Sequence, residues 1–375
     1  MPFTEYSKKR NEMLICGRMA ISKLHIEDFL GMIDLHPVLD VRSPGEYLHA
    51  HIPGAISFPL FNDEERKEVG TSYKQRSRED AIKIGLDYFG PKMRSMVEEA
   101  EQLLVENNKK HKERSKTILV HCWRGGMRSG AVAWLLDLYG FKVYVLVGGY
   151  KSFRRWTLSQ FEKEYPFIML GGYTGSGKTE VLKELERKKE VVIDLEAIAA
   201  HKGSAFGAFG QDEQPTQEMF ENFLGLELKE ALARTIGSKS IWLEDESQRI
   251  GLINLPNAFW DSMRRAPLYF LELDFEQRLD NIVEGYGKFE KEKLINAIIR
   301  IQKRLGPLET KTAINHLLED NIKECFRILL WYYDKYYTRS LNTRENLKKQ
   351  LLTINCQAID TKENASKLLE LKQPA

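Results

Sequence analysis

Eight residues, Gly172-Tyr173-Thr174-Gly175-Ser176-Gly177-Lys178-Thr179, restrict the folds open to this 375-residue chain more than any other segment. They match G-x4-GK[ST] in full, directly after the apolar run Phe167 to Leu170 and directly before a helical pattern containing Val181, Leu182 and Leu185. A strand, this loop and a helix in that order make a phosphate cradle. The glycines let backbone N–H groups wrap the anion, the lysine reaches the outer phosphates and the hydroxyl ligates Mg2+. Gly172, Gly175, Ser176, Gly177, Lys178 and Thr179 are therefore the expected phosphate-binding residues. The loop recognises a polyphosphate, and its sequence leaves open whether that is a nucleotide. Such a loop follows a strand of an α/β sheet. Apolar runs at Val191 to Ile193, Ile241 to Leu243 and Leu268 to Leu273 supply further strands. A metal-side carboxylate should follow one of them. Asp245 is the preferred candidate and Asp194 the other. Beyond Glu276 the chain is expected to be mostly helical, with Leu294, Ile298, Ile301 and Leu305 at helical spacing.

The chain is long enough for two domains, each with its own core. Its composition, 42% hydrophobic and 29% charged, is that of a globular protein. Lys and Arg number 56 against 54 Asp and Glu, a net charge of +2 that excludes a charge-coated polyanion binder and leaves only local basic patches. No apolar run approaches the roughly 18 residues that span a bilayer. The first twenty residues, with Lys8, Lys9, Arg10 and Glu12, lack a signal-peptide core. Cys16, Cys122, Cys325 and Cys356 are scattered without a metal-like or disulfide spacing, so a reducing, cytoplasmic setting is expected, with no membrane partner and no certain metal site.

A flexible segment is expected over 1–18, a first domain over 19–156 and a second over 157–375. In the first domain Val38 to Val41, Thr117 to Val120 and Val143 to Val147 read as buried strands. Between the last two, Val132, Leu135, Leu136 and Tyr139 form the apolar face of a helix that Gly140 caps. Asn107 to Ser115 reads as a solvated loop or helix end. Trp156 to Tyr165 is polar and helix-like, and Pro166 announces the first strand of the second domain.

A second anion loop follows the strand Thr117 to Val120: His121-Cys122-Trp123-Arg124-Gly125-Gly126-Met127-Arg128-Ser129. A loop entering a helix aims successive N–H groups and the positive helix end at one point. Arg124 and Arg128 add charge. These features favour thiolate over thiol and make Cys122 a candidate nucleophile, with Trp123, Gly125, Gly126 and Met127 completing the anion loop. His201 to Gly207 is a Gly-rich stretch suited to a mobile loop over a phosphate site. Arg154-Arg155-Trp156 and Arg264-Arg265 place charge where a polyanion could bind, although each also reads as solvated surface. Of the aromatic cluster Trp331 to Tyr337, some rings must be core.

Asp40-Val41-Arg42-Ser43-Pro44-Gly45-Glu46-Tyr47, His51-Ile52-Pro53-Gly54-Ala55, the Cys122 loop and Val147-Gly148-Gly149 together resemble a rhodanese domain. Asp40 and Arg42 fit a structural ion pair better than a chemical role. The Cys122–Arg128 spacing is one residue longer than in common single-domain sulfurtransferases and equals that of tyrosine-phosphatase loops. It is sized for a phosphate-like anion. The fold class expected is α/β: an N-terminal rhodanese-like domain, then a P-loop NTPase-like domain with a helical tail.

A rhodanese domain followed by a P-loop domain is an unusual pairing. With Cys122-Trp123-Arg124-Gly125-Gly126-Met127-Arg128-Ser129, the P-loop, His201 to Gly207, Glu244-Asp245-Glu246-Ser247, Arg249-Ile250-Gly251 and Arg304-Leu305-Gly306-Pro307, the chain resembles the tRNA 2-selenouridine synthase family. The resemblance implies a transferase that replaces sulfur by selenium in the wobble 2-thiouridine of tRNA. It implies selenophosphate as selenium donor and geranyl diphosphate as the source of a geranylated intermediate. Neither would be a tightly bound cofactor, Mg2+ is a candidate ion, and an enzyme that makes selenophosphate is a candidate partner. On that resemblance Cys122, Arg128 and Arg124 serve catalysis at the selenophosphate loop, and the P-loop cradles the prenyl diphosphate. Two other readings remain: a Cys-dependent phosphatase or sulfurtransferase fused to an ATP-using P-loop module, and a rhodanese domain kept as a binding module.

Overall fold

The computed structural model describes residues 21–112, 114–235 and 240–372. The chain divides into two compact units, the division falling between Trp156 and Thr157. The expected segment 1–18 lies outside the described residues.

The first unit alternates strand and helix: β1 (Ser22–Leu24), α1 (Ile26–Leu30), β2 (Val38–Asp40), α2 (Pro44–His49), β3 (Ile56–Ser57), α3 (Asp63–Gln75), α4 (Arg78–Phe89), α5 (Met93–His111), β4 (Thr117–His121), α6 (Met127–Tyr139), β5 (Lys142–Leu146) and α7 (Gly149–Gln160), the last running across the division. The sheet order is β1-β5-β4-β2-β3, with every pair parallel. Parallel strands buried on both faces read as continuous apolar runs, and every residue of β4 is buried. Ile118 and Val120 of β4 pack with Val143 and Val145 of β5, Val132 and Leu136 of α6, and Val97 and Ala100 of α5. At roughly 1.5–3 kcal/mol for each fully buried aliphatic side chain, this layer fixes the height at which β4 ends. Gly140 terminates α6 at φ +107°. Tyr139, assigned above to the apolar face of that helix, is 54% exposed, so the face ends at Leu136. The charged run at Asn107 forms the last turn of α5, closed by Lys112 in the left-handed region.

The second unit holds a second parallel sheet, of order β12-β11-β6-β8-β7. Its strands are β6 (Phe167–Gly172), β7 (Val191–Ile193), β8 (Ile241–Glu244), β11 (Leu268–Glu272) and β12 (Leu351–Asn355), with a two-stranded antiparallel ribbon of β9 (Arg249–Ile250) and β10 (Ile253–Asn254). Between them run α8 (Lys178–Arg187), α9 (Leu195–Ile198), α10 (Gln217–Arg234), α11 (Asn257–Arg265), α12 (Phe275–Tyr286), α13 (Lys291–Leu305), α14 (Pro307–Leu318), α15 (Ile322–Asn342) and α16 (Leu347–Gln350), and α17 (Thr361–Leu371) follows β12. Side chains alternate across the sheet with a period of two. Phe167, Met169, Ile241, Leu243 and Leu268 therefore face Phe220 and Leu224 of α10 and Phe259 of α11. Ile168, Leu170, Trp242 and Leu271 face Val181, Leu182 and Leu185 of α8 and Leu368 of α17. A third apolar cluster joins α12 to α15, with Leu279, Leu294, Ile298, Leu317, Phe326 and Leu330 buried in it. The region beyond Glu276 is helical as expected, except for β12, an edge strand paired in parallel with β11. Among the described residues no helix is long and apolar enough to cross a membrane.

Candidate functional site

Both anion loops lie where a parallel sheet presents ligands, beyond the carboxyl end of a strand flanked on both sides. β4 lies between β5 and β2, and β6 between β11 and β8.

Cys122 follows the last residue of β4 and its side chain is buried. Its Sγ lies 3.3 Å from Oγ of Ser129, a residue in the first turn of α6. Burial pushes the thiol up, but the Ser129 hydroxyl and the backbone N–H groups of Ser129, Arg124 and Gly126 outweigh it and hold Cys122 below the ordinary thiol value. The loop is held from behind by the start of α7. Tyr150 N donates to Cys122 O at 2.8 Å and Lys151 N to Trp123 O at 3.0 Å. Gly149 has φ +57°, and a Cβ there would collide with the Cys122 carbonyl and fall 2.5 Å from Gly125 N. The glycine pair after Val147 is thus a fitting surface for the loop.

Trp123, Arg124 and Met127 are exposed beside the thiol. Arg128 is half-buried and engaged. Its Nη1 donates to Glu46 Oε2 at 2.6 Å and its Nη2 to Oε1 at 3.4 Å. Burial would raise the Glu46 carboxyl, but the Arg128 guanidinium holds it below the usual carboxylate range. Arg128 is therefore oriented by a carboxylate from α2. Asp40 and Arg42 form a fully buried pair at 2.6 Å; Arg42 also donates to Ala50 O at 2.7 Å and stacks 3.9 Å over Tyr150. That environment fits the structural role expected for the pair.

In the second unit the P-loop joins β6 to α8, with Gly175 at φ +85° and Gly177 at φ +76°. Lys178 Nζ donates to Gly172 O at 2.9 Å and lies 3.4 Å from Glu244 Oε1, while Thr179 Oγ1 donates to Glu244 Oε2 at 3.2 Å. The acid at the P-loop is thus Glu244, and neither Asp245 nor Asp194 fills that place. Asp245 accepts from Tyr337 at 2.7 Å and pairs with buried Arg344. Asp194 caps α9 by accepting from Ala197 N at 2.9 Å. For Asp245 strand parity is the reason: Trp242 and Glu244 share the face that meets α8, and the next residue leaves it.

Partners far along the chain hold the P-loop from outside. Arg278 of α12 donates to Thr174 O at 3.1 Å and pairs with Asp334 of α15 at 2.7 Å. Asn281 donates to Gly175 O at 2.9 Å, and Gly172 N donates to Tyr337 OH at 3.4 Å. Nothing local in the sequence marks these residues as belonging to the loop.

Glu196, Glu244 and Glu246 bring carboxylate oxygens within 4.8 Å of one another. Burial, then the charges of its two neighbours, pushes Glu196 up to about 9. Burial and Glu244 push Glu246 up to about 8. Lys178 is lowered by burial, but these acids more than restore it and raise it above its ordinary value. Three hard oxygen donors beside the Thr179 hydroxyl suit Mg2+, which would supply charge neutralisation for a departing phosphate. Ser176 Oγ is buried in the loop without a partner.

Acids and P-loop line a cavity of about 860 Å³. The same cavity carries an aromatic and aliphatic group, Phe206, Phe209, Tyr286, Phe289, Phe326 and Leu330. Phe206 comes from the Gly-rich stretch expected to cover a phosphate site; Tyr332 and Tyr333 of the aromatic cluster also line the cavity, whereas Trp331 is exposed.

A family model described as the tRNA 2-selenouridine synthase AAA domain matches residues 165–359, and a rhodanese-like domain model matches residues 25–155. The expected fold class, rhodanese-like domain followed by P-loop domain, is met by both. The tRNA 2-selenouridine synthase of Pseudomonas fluorescens (strain Pf0-1) is 34% identical over 336 residues, covering 80% of this chain and 87% of the relative. That of Bdellovibrio bacteriovorus (strain ATCC 15356 / DSM 50701 / NCIMB 9529 / HD100) is 33% identical over 350 residues, covering 82% and 89%. That of Sulfurovum sp. (strain NBC37-1) is 32% identical over 357 residues, covering 86% and 93%. Matched in both units and along most of each relative, the chain belongs to the tRNA 2-selenouridine synthase family.

Proposed function

We propose that this chain is a tRNA-modifying transferase that exchanges the sulfur of wobble 2-thiouridine for selenium, by way of a geranylated intermediate. The amphipathic cavity carries the prenyl part of this reading. A phosphate loop and its acids in one cavity with an aromatic wall suit a diphosphate bearing a hydrocarbon chain.

In the first step the 2-thio sulfur attacks the first carbon of the geranyl group. A C–S bond forms, the C–O bond to diphosphate breaks, and diphosphate leaves with the electron pair. Lys178 and the P-loop N–H groups stabilise the charge that develops on it. In the second step the selenium of selenophosphate attacks C2 of the base and the geranyl thiolate departs. A selenium–phosphorus bond then remains to be broken. Attack on phosphorus by the Cys122 thiolate breaks it, transfers the phosphoryl group to sulfur and releases 2-selenouridine. Water then frees phosphate from Cys122. The phosphate-sized Cys122–Arg128 loop and the acidified thiol support this use of Cys122 over a simple sulfane carrier. Arg128 and Arg124 supply positive charge at the phosphoryl oxygens.

Thiolated tRNA incubated with the protein, geranyl diphosphate and selenophosphate, singly and together, tests the proposal by mass spectrometry of nucleosides. The expected products are geranylated thiouridine with the first donor alone and selenouridine with both. Unchanged tRNA, with ATP or an aryl phosphate consumed instead, would overturn it in favour of a phosphatase joined to an ATP-using module.

A further inference from the structure

The aromatic wall of the P-loop cavity is built from two kinds of backbone. Tyr286 is carried by α12 and Phe326 by α15. Phe206 and Phe209 come instead from the connection between α9 and α10, which turns at Gly203 (φ +63°) and Gly210 (φ +70°). Phe206 is the hub of the wall. Its ring centroid lies 5.9 Å from Phe209, 5.9 Å from Tyr286 and 5.8 Å from Phe326, and the residue is only 3% exposed.

The same connection is registered against the phosphate end. A Cβ on Gly203 would fall 2.5 Å from a Glu246 carboxylate oxygen and 3.3 Å from one of Glu196, so the backbone presses on the acids. Two residues later, Ala205 N donates to Tyr333 OH at 3.1 Å. The connection is therefore tied to the acids at Gly203 and to the aromatic wall at Phe206, three residues further on, while Glu244 is tied to Lys178 and Thr179. A site that measures a chain needs a fixed anchor for the head and a fixed stop for the tail, and the P-loop and this ring supply the two.

We propose that Phe206 sets the length of hydrocarbon this cavity accepts, closing it behind the second isoprene unit of a prenyl diphosphate. The inference rests on the reading of the P-loop as a prenyl diphosphate site. Apolar pockets discriminate a single methylene by roughly 10- to 200-fold, so an obstructing ring should reject a whole extra isoprene unit at least as strongly. Phe206→Ala opens the space between Phe209, Tyr286 and Phe326. Phe206→Trp fills it further.

The test uses the full chain, thiolated tRNA and diphosphates of one, two and three isoprene units, with prenylated nucleosides quantified by mass spectrometry. For F206A the ratio of three-unit to two-unit transfer should rise at least about tenfold. For F206W the ratio of one-unit to two-unit transfer should rise. Inorganic diphosphate binding, measured alongside, reports whether the P-loop is still formed in each variant. Unaltered ratios in variants that still transfer the two-unit chain would overturn the inference and leave the prenyl reading standing. Failure of the parent protein to transfer any of the three chains would overturn that reading and this inference with it.

Discussion

Burial and hydrogen bonding act in opposite senses on the Cys122 thiol, and the hydrogen bonds win because a loop and a helix start converge on one sulfur. Cys325 is the internal contrast: burial alone acts on it and pushes it up to about 12. Removing the Ser129 hydroxyl takes away the first of the stabilising bonds. In S129A the thiolate absorbance that disappears in C122A should titrate at higher pH, with slower selenium transfer at neutral pH. An unmoved titration would show that the backbone N–H groups suffice. The acids at the P-loop titrate the other way. Glu196 and Glu246 keep their protons in the folded protein up to about 9 and about 8, whereas the unfolded chain releases them in the ordinary carboxylate range. The unfolded state thus binds fewer protons between those limits, and the cluster's contribution to stability falls as pH rises through that window. Mg2+ held by this trio would need the ionised form and would replace those protons. Thermal unfolding should therefore show a larger rise in Tm on adding Mg2+ at about pH 9 than at about pH 6. Equal rises would mean that the ion does not bind this trio.

At the level of elements, the Cys122 loop depends on a neighbour that fits it without a side chain. Gly149 begins α7 in the left-handed region and lies against Cys122 O and the N–H groups of Arg124 and Gly125. A methyl group there combines backbone strain with overlap against main chain that cannot move aside. G149A should cost about 2 kcal/mol or more in denaturant unfolding and lower selenium transfer, while prenyl transfer persists in the soluble fraction. A variant as stable and active as the parent would show that the loop tolerates displacement. The strands also explain what could be read in advance. Thr117 to Val120 and Phe167 to Leu170 announce themselves as continuous apolar runs because they are central, parallel and buried on both faces. Leu351–Asn355 is a half-exposed edge strand, so its composition lacks that signature and it escapes notice inside a helical stretch. Glu244 and Asp245 are adjacent letters. Only the parity of β8 against α8 decides that the first meets Thr179 and the second meets Tyr337 and Arg344.

Across the whole molecule, the two chemistries are assigned to separate units, and that separation can be tested. C122A should accumulate geranylated thiouridine from geranyl diphosphate and fail to convert it to selenouridine. K178A should fail to geranylate, yet convert tRNA that already carries the geranylated base. Conversion at the parent rate by C122A, or undiminished geranyl diphosphate affinity in K178A, would break the assignment of the corresponding loop. The sequence by itself determined that there are two such loops, that each is built to hold an anion, and where each begins. It could do so because an anion loop is made from contiguous residues: a buried strand, a few glycines, a cation and a helix start are all encoded side by side. The tertiary structure decided which acid faces Lys178, which carboxylate orients Arg128, and that the P-loop opens onto an aromatic wall. Glu46, Glu244, Arg278, Tyr337 and Phe206 reach these places by packing of elements far apart along the chain. Sheet parity and side-chain burial fix such meetings, and linear spacing carries no record of them.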